Sequence, residues 1–403
     1  MSEKSPEMRE TAARICRDYL HGVWKHVTSE NIILKRVSGG LSNWLYNVEL
    51  PEEAVPVRGE PRQVLLRLYG QVHGERALEG LITESVIFTL LSERRLGPKL
   101  HGIFPGGRIE EYIPARPLLT RELADPTLSL LIAEKMGQIH MMQVPISKEP
   151  TWIWDTMNNW LNTATDIFAS TDDIDNQQLE NIRAIKCIDL KHEIDWFRSL
   201  VTQQKHPVTF CHNDMQEGNI LLQHNTRRPE LVLIDFEYCS YNYRGFDIAN
   251  HFAEWQYDYT ASEYPFFHER PAGSPTKEQK GAGSASAACV YISFTGLQSA
   301  KTRLMPANTE KLDFIRAYLR TLGKEGSLEE ERTMMEVRIF SLASHLFWGL
   351  WSIVNAKLSQ IPFGYWDYAA SRLRNYMYLK DKILASEPPV IDGSFKRKSR
   401  EID

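Results

Sequence analysis

The chain has 403 residues, 42% of them hydrophobic and 25% charged, with a formal net charge of −5. These values argue against a wholly disordered chain and allow two or three domains or one large two-lobed enzyme domain. A mildly acidic balance offers no basic footprint for nucleic acid. The five cysteines (Cys16, Cys187, Cys211, Cys239 and Cys289) are odd in number and form no CxxC pair, which speaks against a structural zinc site and a disulfide framework. The start, MSEKSPEMRE, is charged rather than apolar, and the longest apolar stretch, Leu342 to Val354, is too short to span a bilayer. A cytoplasmic location without stable membrane insertion is expected.

In chain order, residues 11–26 read as a helix. Two apolar runs between Ile32 and Val48 flank SGGLSN, a hairpin signal with Ser38, Gly39 and Gly40 in its loop. VLLRLYG (64–70) is a strand whose period of two puts Val64, Leu66 and Leu68 on one face and Arg67 on the other, with Leu65 and Tyr69. A helical pattern over 78–95 carries Glu84. RIEEYIPARP (108–117) reads as a strand running into a Pro-rich connection, the first good domain boundary. Residues 127–142 form an amphipathic helix, 155–205 are mostly helical, and NILL (219–222) and LVLID (231–235) are short strands. Long helices are expected over about 330–358 and 366–380. The Gly-, Ser- and Ala-rich stretch 271–309 reads as a flexible loop, and the polar tail after Glu387 as frayed.

The chemistry centres on HNDMQEGNILL, beginning at His212. Asp214 followed five residues later by Asn219 is the spacing of a kinase catalytic loop: a carboxylate at the acceptor hydroxyl and an amide that reaches a metal ion. Asp235, leaving an apolar strand in IDFEY, is a second carboxylate suited to Mg²⁺ on nucleotide phosphates. Either aspartate alone is more readily an ordinary turn acid. Together with Asn219 they are hard to dismiss. Ser38, Gly39 and Gly40 could bring backbone amides to phosphates, although a plain hairpin turn explains two glycines as well. Arg67 is the candidate phosphate cation with Glu84 as its orienting partner, and the two could equally be a surface pair.

HNDMQEGNILL, LVLIDFEYCSYNYRGFDIANHF, SHLFWGLWSI, VLLRLYG, LGPKLHGIFPGGRIEEYIP and KEPTWIWDTM closely resemble the choline/ethanolamine kinase family, in family order over about residues 15–380. The resemblance implies an α+β, protein-kinase-like two-lobed fold, with a small β-rich N-lobe (1–113) and a large, mostly helical C-lobe (114–403). It implies ATP-dependent phosphorylation of choline, secondary activity on ethanolamine, Mg²⁺ as cofactor and a homodimer. By the same resemblance Asp214 is the catalytic base, and Asn219 and Asp235 hold Mg²⁺. Arg67, Leu68, Tyr69, Gly70, Gln71 and Gln216 contact the nucleotide. Glu111, Tyr112, Ile113, Pro114, Ala115, Arg116 and Pro117 form the interlobe segment that holds adenine, and Asp247 braces the catalytic loop.

Choline's quaternary ammonium carries no hydrogen-bond donor, so aromatic faces and a carboxylate are the means to bind it. Trp348 and Trp351 lie i,i+3 on one helix face. With Tyr238, Glu254, Tyr259, Phe363 and Tyr368 they match the family's choline pocket, whereas without the match an aromatic stripe is more simply core. Glu254 among so many rings would be a costly unpaired charge as mere core. Residues 280–311 depart from the family pattern. An ethanolamine-preferring kinase, an aminoglycoside- or other small-alcohol kinase, and a non-catalytic pseudokinase scaffold are the alternatives.

Overall fold

The computed structural model describes residues 5–37, 43–69, 75–169, 178–224, 226–270 and 306–385. Ser38, Gly39, Gly40, Gly70 and Gln71, most of 271–309 and the tail after Glu387 lie outside them. Helix α1 (Pro6–Tyr19) opens with Pro at its first position, where the missing N–H costs nothing. The helix expected over 11–26 ends here. Gly22, at φ +58°, turns the chain into a separate 3-10 turn, Gly22–His26, whose Trp24 indole N–H donates to the Pro61 carbonyl at 2.9 Å.

Strands β1 (Ile33–Val37), β2 (Asn43–Glu49), β3 (Gln63–Tyr69), β4 (Leu100–Phe104) and β5 (Gly107–Glu111) make one antiparallel sheet in the order β1-β2-β3-β5-β4. Val64, Leu66 and Leu68 do share the buried face, packing with Tyr46, Val48, Ile109 and the apolar side of α1. Helix α2 (Glu75–Glu93) follows β3, but Ile87, Phe88 and Leu91 belong to the core of the helical part. The sheet and the helical part are therefore joined through α2.

The run 108–117 is two strands rather than one. β5 ends at Glu111, and β6 (Ala115–Pro117) pairs instead with β8 (Ile220–Gln223), which pairs with β9 (Leu231–Leu233). Before β8, β7 (Val208–Cys211) pairs antiparallel with β10 (Ser240–Tyr243). Around these hairpins pack α3 (Leu128–His140), α4 (Trp152–Ala169), α5 (Leu179–Lys186), α6 (Leu190–Thr202), α7 (Arg244–Glu254), α8 (Pro306–Thr321), α9 (Ser327–Leu358) and α10 (Tyr365–Ala385). A two-residue pair, β11 (Tyr257–Asp258) with β12 (His268–Glu269), follows α7. The flexible stretch expected over 271–309 stops short, because residues 306–311 open α8. Lys311 lies over the Phe252 ring at 5.2 Å, which anchors the start of α8.

Every residue of α7 is buried. It meets α9 closely because Gly245 has no Cβ; one added there would stand 2.6 Å from Phe340. Arg244 donates to both Glu336 carboxylate oxygens, at 2.7 and 2.8 Å. Helix α9 is the one described helix long and apolar enough to cross a bilayer, and most of that apolar length is buried against the other helices.

His251, also on α7, uses both ring nitrogens in its neutral form. Its Nδ1–H donates to the Met215 carbonyl at 2.8 Å, and its Nε2 accepts the Trp255 indole N–H at 3.2 Å. Burial pushes its pKa down to about 4. Protonation would leave the Trp255 N–H without its acceptor. Because the folded-state pKa lies below the unfolded one, this contribution is intact above about pH 6.5 and lost as pH falls toward 4. His251→Gln is therefore expected to lose about 2 kcal/mol less stability than the parent chain between about pH 7 and pH 5, measured by urea unfolding. Parallel pH dependences in the two proteins would refute the assignment.

Candidate active site

Strand β7 delivers the chain into the loop 212–219, and Asp247 of α7 holds the start of that loop. Asp247 Oδ2 accepts the His212 N–H and Oδ1 the Asn213 N–H, both at 2.9 Å. His140 Nε2 stands 3.0 Å from the same carboxylate, with Tyr318 Oη 2.8 Å from its other nitrogen. Burial alone would raise the Asp247 pKa, but the bonds and charge of His140 and His212 hold it below the usual carboxylate range. His140, Cys211 and Asp247 bring ligand-type atoms within 4.8 Å of one another. Asp247 is occupied by N–H donors and burial pushes the Cys211 thiol well up, so the group acts as a hydrogen-bonded brace.

Asn213 adopts φ +69° and spends its side chain on the neighbouring segment. Its Nδ2 donates to the Tyr238 carbonyl at 2.8 Å and Ser240 Oγ at 2.9 Å, and its Oδ1 accepts from Asn242 at 2.9 Å. Asn219 Nδ2 donates to the Asp214 carbonyl at 2.9 Å and to Asp214 Oδ2 at 2.7 Å. Both amide hydrogens are thereby used, which leaves the side-chain oxygen Oδ1 of Asn219 for a cation, distinct from its backbone carbonyl. Asp235 sits just beyond β9 at φ +62°, and Ile234 N–H donates to the Asn219 carbonyl at 3.0 Å. Asp214, Asn219 and Asp235 thus lie on two segments tied to each other.

Burial pushes the Asp214 pKa well above the usual carboxylate range, and the nearby charges of Glu254, Asp235 and Glu237 push it further. Crowded carboxylates and an amide oxygen are hard oxygen ligands that fit Mg²⁺. Gln216 caps the 3-10 turn Glu217–Asn219, accepting the Gly218 N–H at 2.8 Å. Glu217, absent from the sequence expectations, gives Oε1 to Thr120 at 3.0 Å, while its buried Oε2 has no hydrogen-bond partner among the described residues.

The expected Arg67–Glu84 pair is replaced by another arrangement. Arg67 and Arg108 lie directly opposite in the β3–β5 register, on the same face as Glu110. Glu110 Oε1 accepts from Arg67 Nε at 2.8 Å and Arg108 Nε at 2.7 Å. Glu84 receives Arg108 Nη1 at 2.6 Å, and Arg108 also donates to Tyr69 Oη at 3.0 Å. Two facing guanidiniums need a carboxylate between them, and Glu110 is the nearer one along the strand. Leu68 takes part in the sheet core. Farther on, Glu111 Oε2 accepts the Lys99 N–H at 3.0 Å, and Arg116 forms a two-pronged pair with Glu122 at 2.7 Å on each prong. The charged ends of Glu111 and Arg116 are thus taken. Tyr112, Ile113 and Pro114 lie between β5 and β6, and Ala115 and Pro117 within β6.

The aromatic candidates form one chain of ring contacts. Tyr238 meets Trp348 and Trp348 meets Trp351, each at 5.6 Å between centroids; Trp351 meets Tyr365 at 5.9 Å and Tyr365 meets Phe363 at 5.1 Å. Phe363 then reaches Tyr368 at 5.6 Å and Tyr259 at 6.3 Å. Tyr238, Trp351, Tyr259 and Phe363 are half-buried walls, whereas Trp348, Tyr365, Tyr368 and Glu254 lie buried behind them. Trp348 Nε1 donates to Asn250 Oδ1 at 2.7 Å, and Asn250 Nδ2 donates to the Asn213 carbonyl at 3.4 Å, linking the rings to the loop that bears Asp214. Glu254 is not the unpaired charge expected: Arg372 Nη2 donates to one oxygen and Tyr259 Oη to the other, the latter at 2.8 Å. Sequence reasoning missed Tyr365 and Arg372, although both share the i, i+3, i+7 face of α10 with Tyr368.

The family model for choline/ethanolamine kinases matches residues 34–282 and 290–377. Residues 283–289, within the departure expected over 280–311, fall between the two matched segments. A mouse choline/ethanolamine kinase is 42% identical over 393 residues, covering 96% of this chain and 90% of its own. Mouse choline kinase alpha is 40% identical over 409 residues, covering 94% of this chain and 83% of its own. Among solved structures, a choline kinase from Cryptosporidium parvum Iowa II superposes with a TM-score of 0.69 at 25% identity, covering 93% of this chain and 96% of the other. An antiparallel sheet before a helical part, a braced loop bearing Asp214 and Asn219, and a match over most of the length agree: this chain belongs to the choline/ethanolamine kinase family.

Proposed function

We propose that this kinase transfers the γ-phosphoryl group of ATP to the hydroxyl of choline, giving phosphocholine, with ethanolamine as a second acceptor. The observation that carries the reading is the chain of aromatic rings from Tyr238 to Tyr259, tied through Trp348 and Asn250 to the loop that bears Asp214. A quaternary ammonium is held by ring faces and needs no acceptor. Glu254 supports choline over ethanolamine, because both its oxygens are already engaged by Arg372 and Tyr259.

In this reading residues 1–113 form the nucleotide lobe and 114 onward the acceptor lobe. Arg67, Tyr69 and the residues from Glu111 to Pro117 line the nucleotide side. Ser38, Gly39, Gly40, Gly70 and Gln71 complete it by family resemblance. Asn219 and Asp235 would hold Mg²⁺, which neutralises charge on the phosphates and on the crowded carboxylates when bound. The rings orient the ammonium, and Asp214 accepts the hydroxyl proton. The acceptor oxygen bonds to the γ-phosphorus as the bond to the β-phosphate oxygen breaks, leaving ADP. Asn219 keeps the Asp214 carboxylate aimed through its 2.7 Å bond. The homodimer and the cytoplasmic location belong to the same reading, supported by family membership.

Asp214→Ala is expected to lower kcat about a thousandfold while ATP KM stays within about threefold, measured by phosphate transfer from labelled ATP. Turnover within about tenfold of the parent would remove Asp214 from the base role. Trp351→Ala is expected to raise choline KM about tenfold or more and leave ATP KM unchanged. An equal rise in both constants would take Trp351 out of the acceptor pocket.

A further inference from the structure

Arg372 is fully buried at the back of the aromatic pocket and touches three of its candidate residues directly or through one hydroxyl. Its Nη2 donates to Glu254 Oε1, and its Nε donates to Tyr368 Oη at 2.9 Å. Tyr368 Oη lies 2.7 Å from Tyr259 Oη, which in turn donates to Glu254 Oε2 at 2.8 Å. The four groups close a ring of hydrogen bonds that joins the end of α7, the segment after β11 and α10. The guanidinium carbon also sits 4.1 Å over the Tyr257 ring and 5.0 Å over the Tyr368 ring.

Stability is a weak reason for this pair. A buried ion pair seldom repays its desolvation, and Arg372 Nη1 finds no hydrogen-bond partner among the described residues. Its effect on the pocket is specific. It cancels the charge of Glu254 and occupies the oxygen that Tyr259 leaves open. It also fixes the hydroxyls of Tyr368 and Tyr259, so the rotation of both rings is set.

We propose that Arg372 is a positioning and specificity residue: by saturating Glu254 and clamping Tyr368 and Tyr259, it makes the pocket meet a cation with ring faces instead of an open carboxylate. This deepens the choline reading and rests on it. A trimethylated head loses nothing when the carboxylate is occupied. A primary ammonium loses an acceptor for its N–H groups and leaves its hydration uncompensated. Discrimination between the two acceptors then comes from the arginine as much as from the tryptophans.

The test compares kcat and KM for choline, ethanolamine and ATP in the full-length chain and in Arg372→Lys, Arg372→Gln and the double variant Glu254→Gln/Arg372→Gln. Arg372→Lys keeps the charge but loses the planar fork, and is expected to raise choline KM about tenfold with ATP KM unchanged. Arg372→Gln frees Glu254, and is expected to move the ethanolamine-to-choline ratio of kcat/KM about tenfold toward ethanolamine. The double variant removes both buried charges, so it folds without an orphan. It is expected to keep a raised choline KM and show no gain for ethanolamine. If the double variant restores the parent choline KM, or if choline and ATP KM rise together in Arg372→Lys, the pair is a structural bridge and the proposal falls. Should Arg372→Gln not fold, Arg372→Lys and the double variant decide alone. A parent chain that phosphorylates neither amine would instead refute the acceptor reading, which is a separate outcome.

Discussion

The carboxylate of Asp247 is the constraint on which the site depends. It has no exposure to solvent, yet it stays ionised because it receives two backbone N–H groups of the loop bearing Asp214 and faces His140. Hydrogen bonds to a buried charge are worth more than neutral ones, and leaving such donors unpaired costs about 1–3 kcal/mol each. The bond therefore fixes where the loop begins. From that point Asn213 can hold a left-handed backbone, and Asn219 can return to restrain Asp214. The pairing of His140 with Tyr318 carries the same brace back to α8, so three helices and a strand end determine one carboxylate's place.

The molecule handles its buried arginines in one consistent way. Arg67 and Arg108 would repel across β3 and β5, and Glu110 and Glu84 compensate them. Arg244 meets Glu336 between α7 and α9, and Arg372 meets Glu254 between α7 and α10. The Arg244 and Arg372 pairs tie elements distant in sequence, and Arg244 grips Glu336 with the two-pronged fork that lysine lacks. By contrast, Asp214, Asp235 and Glu237 crowd one another on the cleft side, and the raised pKa of Asp214 records that imbalance. Charge is balanced where the fold needs rigidity and left unbalanced around Asp214.

Much of this was legible in the sequence because it rests on local spacing. The period of two placed Val64, Leu66 and Leu68 inside, and the five-residue step from Asp214 to Asn219 picked out two side chains joined at 2.7 Å. Cross-strand register is not local. Nothing in VLLRLYG or RIEEYIP reveals that Arg67 stands opposite Arg108, so Glu84 was assigned the wrong partner. Helix α7 escaped notice for a different reason. Apolar periodicity finds helices that are half wet, whereas α7 buries Asp247, Asn250, His251 and Glu254, each with a hydrogen-bonding partner. The break between β5 and β6 was likewise hidden, because pairing of β6 with β8 is a tertiary fact.

A polar and aromatic periodicity carries the information that the apolar one lacks. Asp247, Asn250 and Glu254 follow i, i+3, i+7 along α7; Ser344, Trp348 and Trp351 follow i, i+4, i+7 along α9; Tyr365, Tyr368 and Arg372 follow i, i+3, i+7 along α10. Each series is one helical stripe, and the three stripes face one another through the bonds of Asn250 to Ser344 and Trp348 and of Glu254 to Arg372. Helix α7 then acts as a ruler. The seven residues from Asp247 to Glu254 span about 10 Å at 1.5 Å per residue. One end holds the loop that bears Asp214, and the other carries the carboxylate that Arg372 and Tyr259 engage. In the proposed reading, the separation between Asp214 and the bound ammonium is thereby set by a rigid buried helix rather than by loops. A small amino alcohol, with its hydroxyl and its cation a few bonds apart, is the kind of acceptor such a fixed spacing selects.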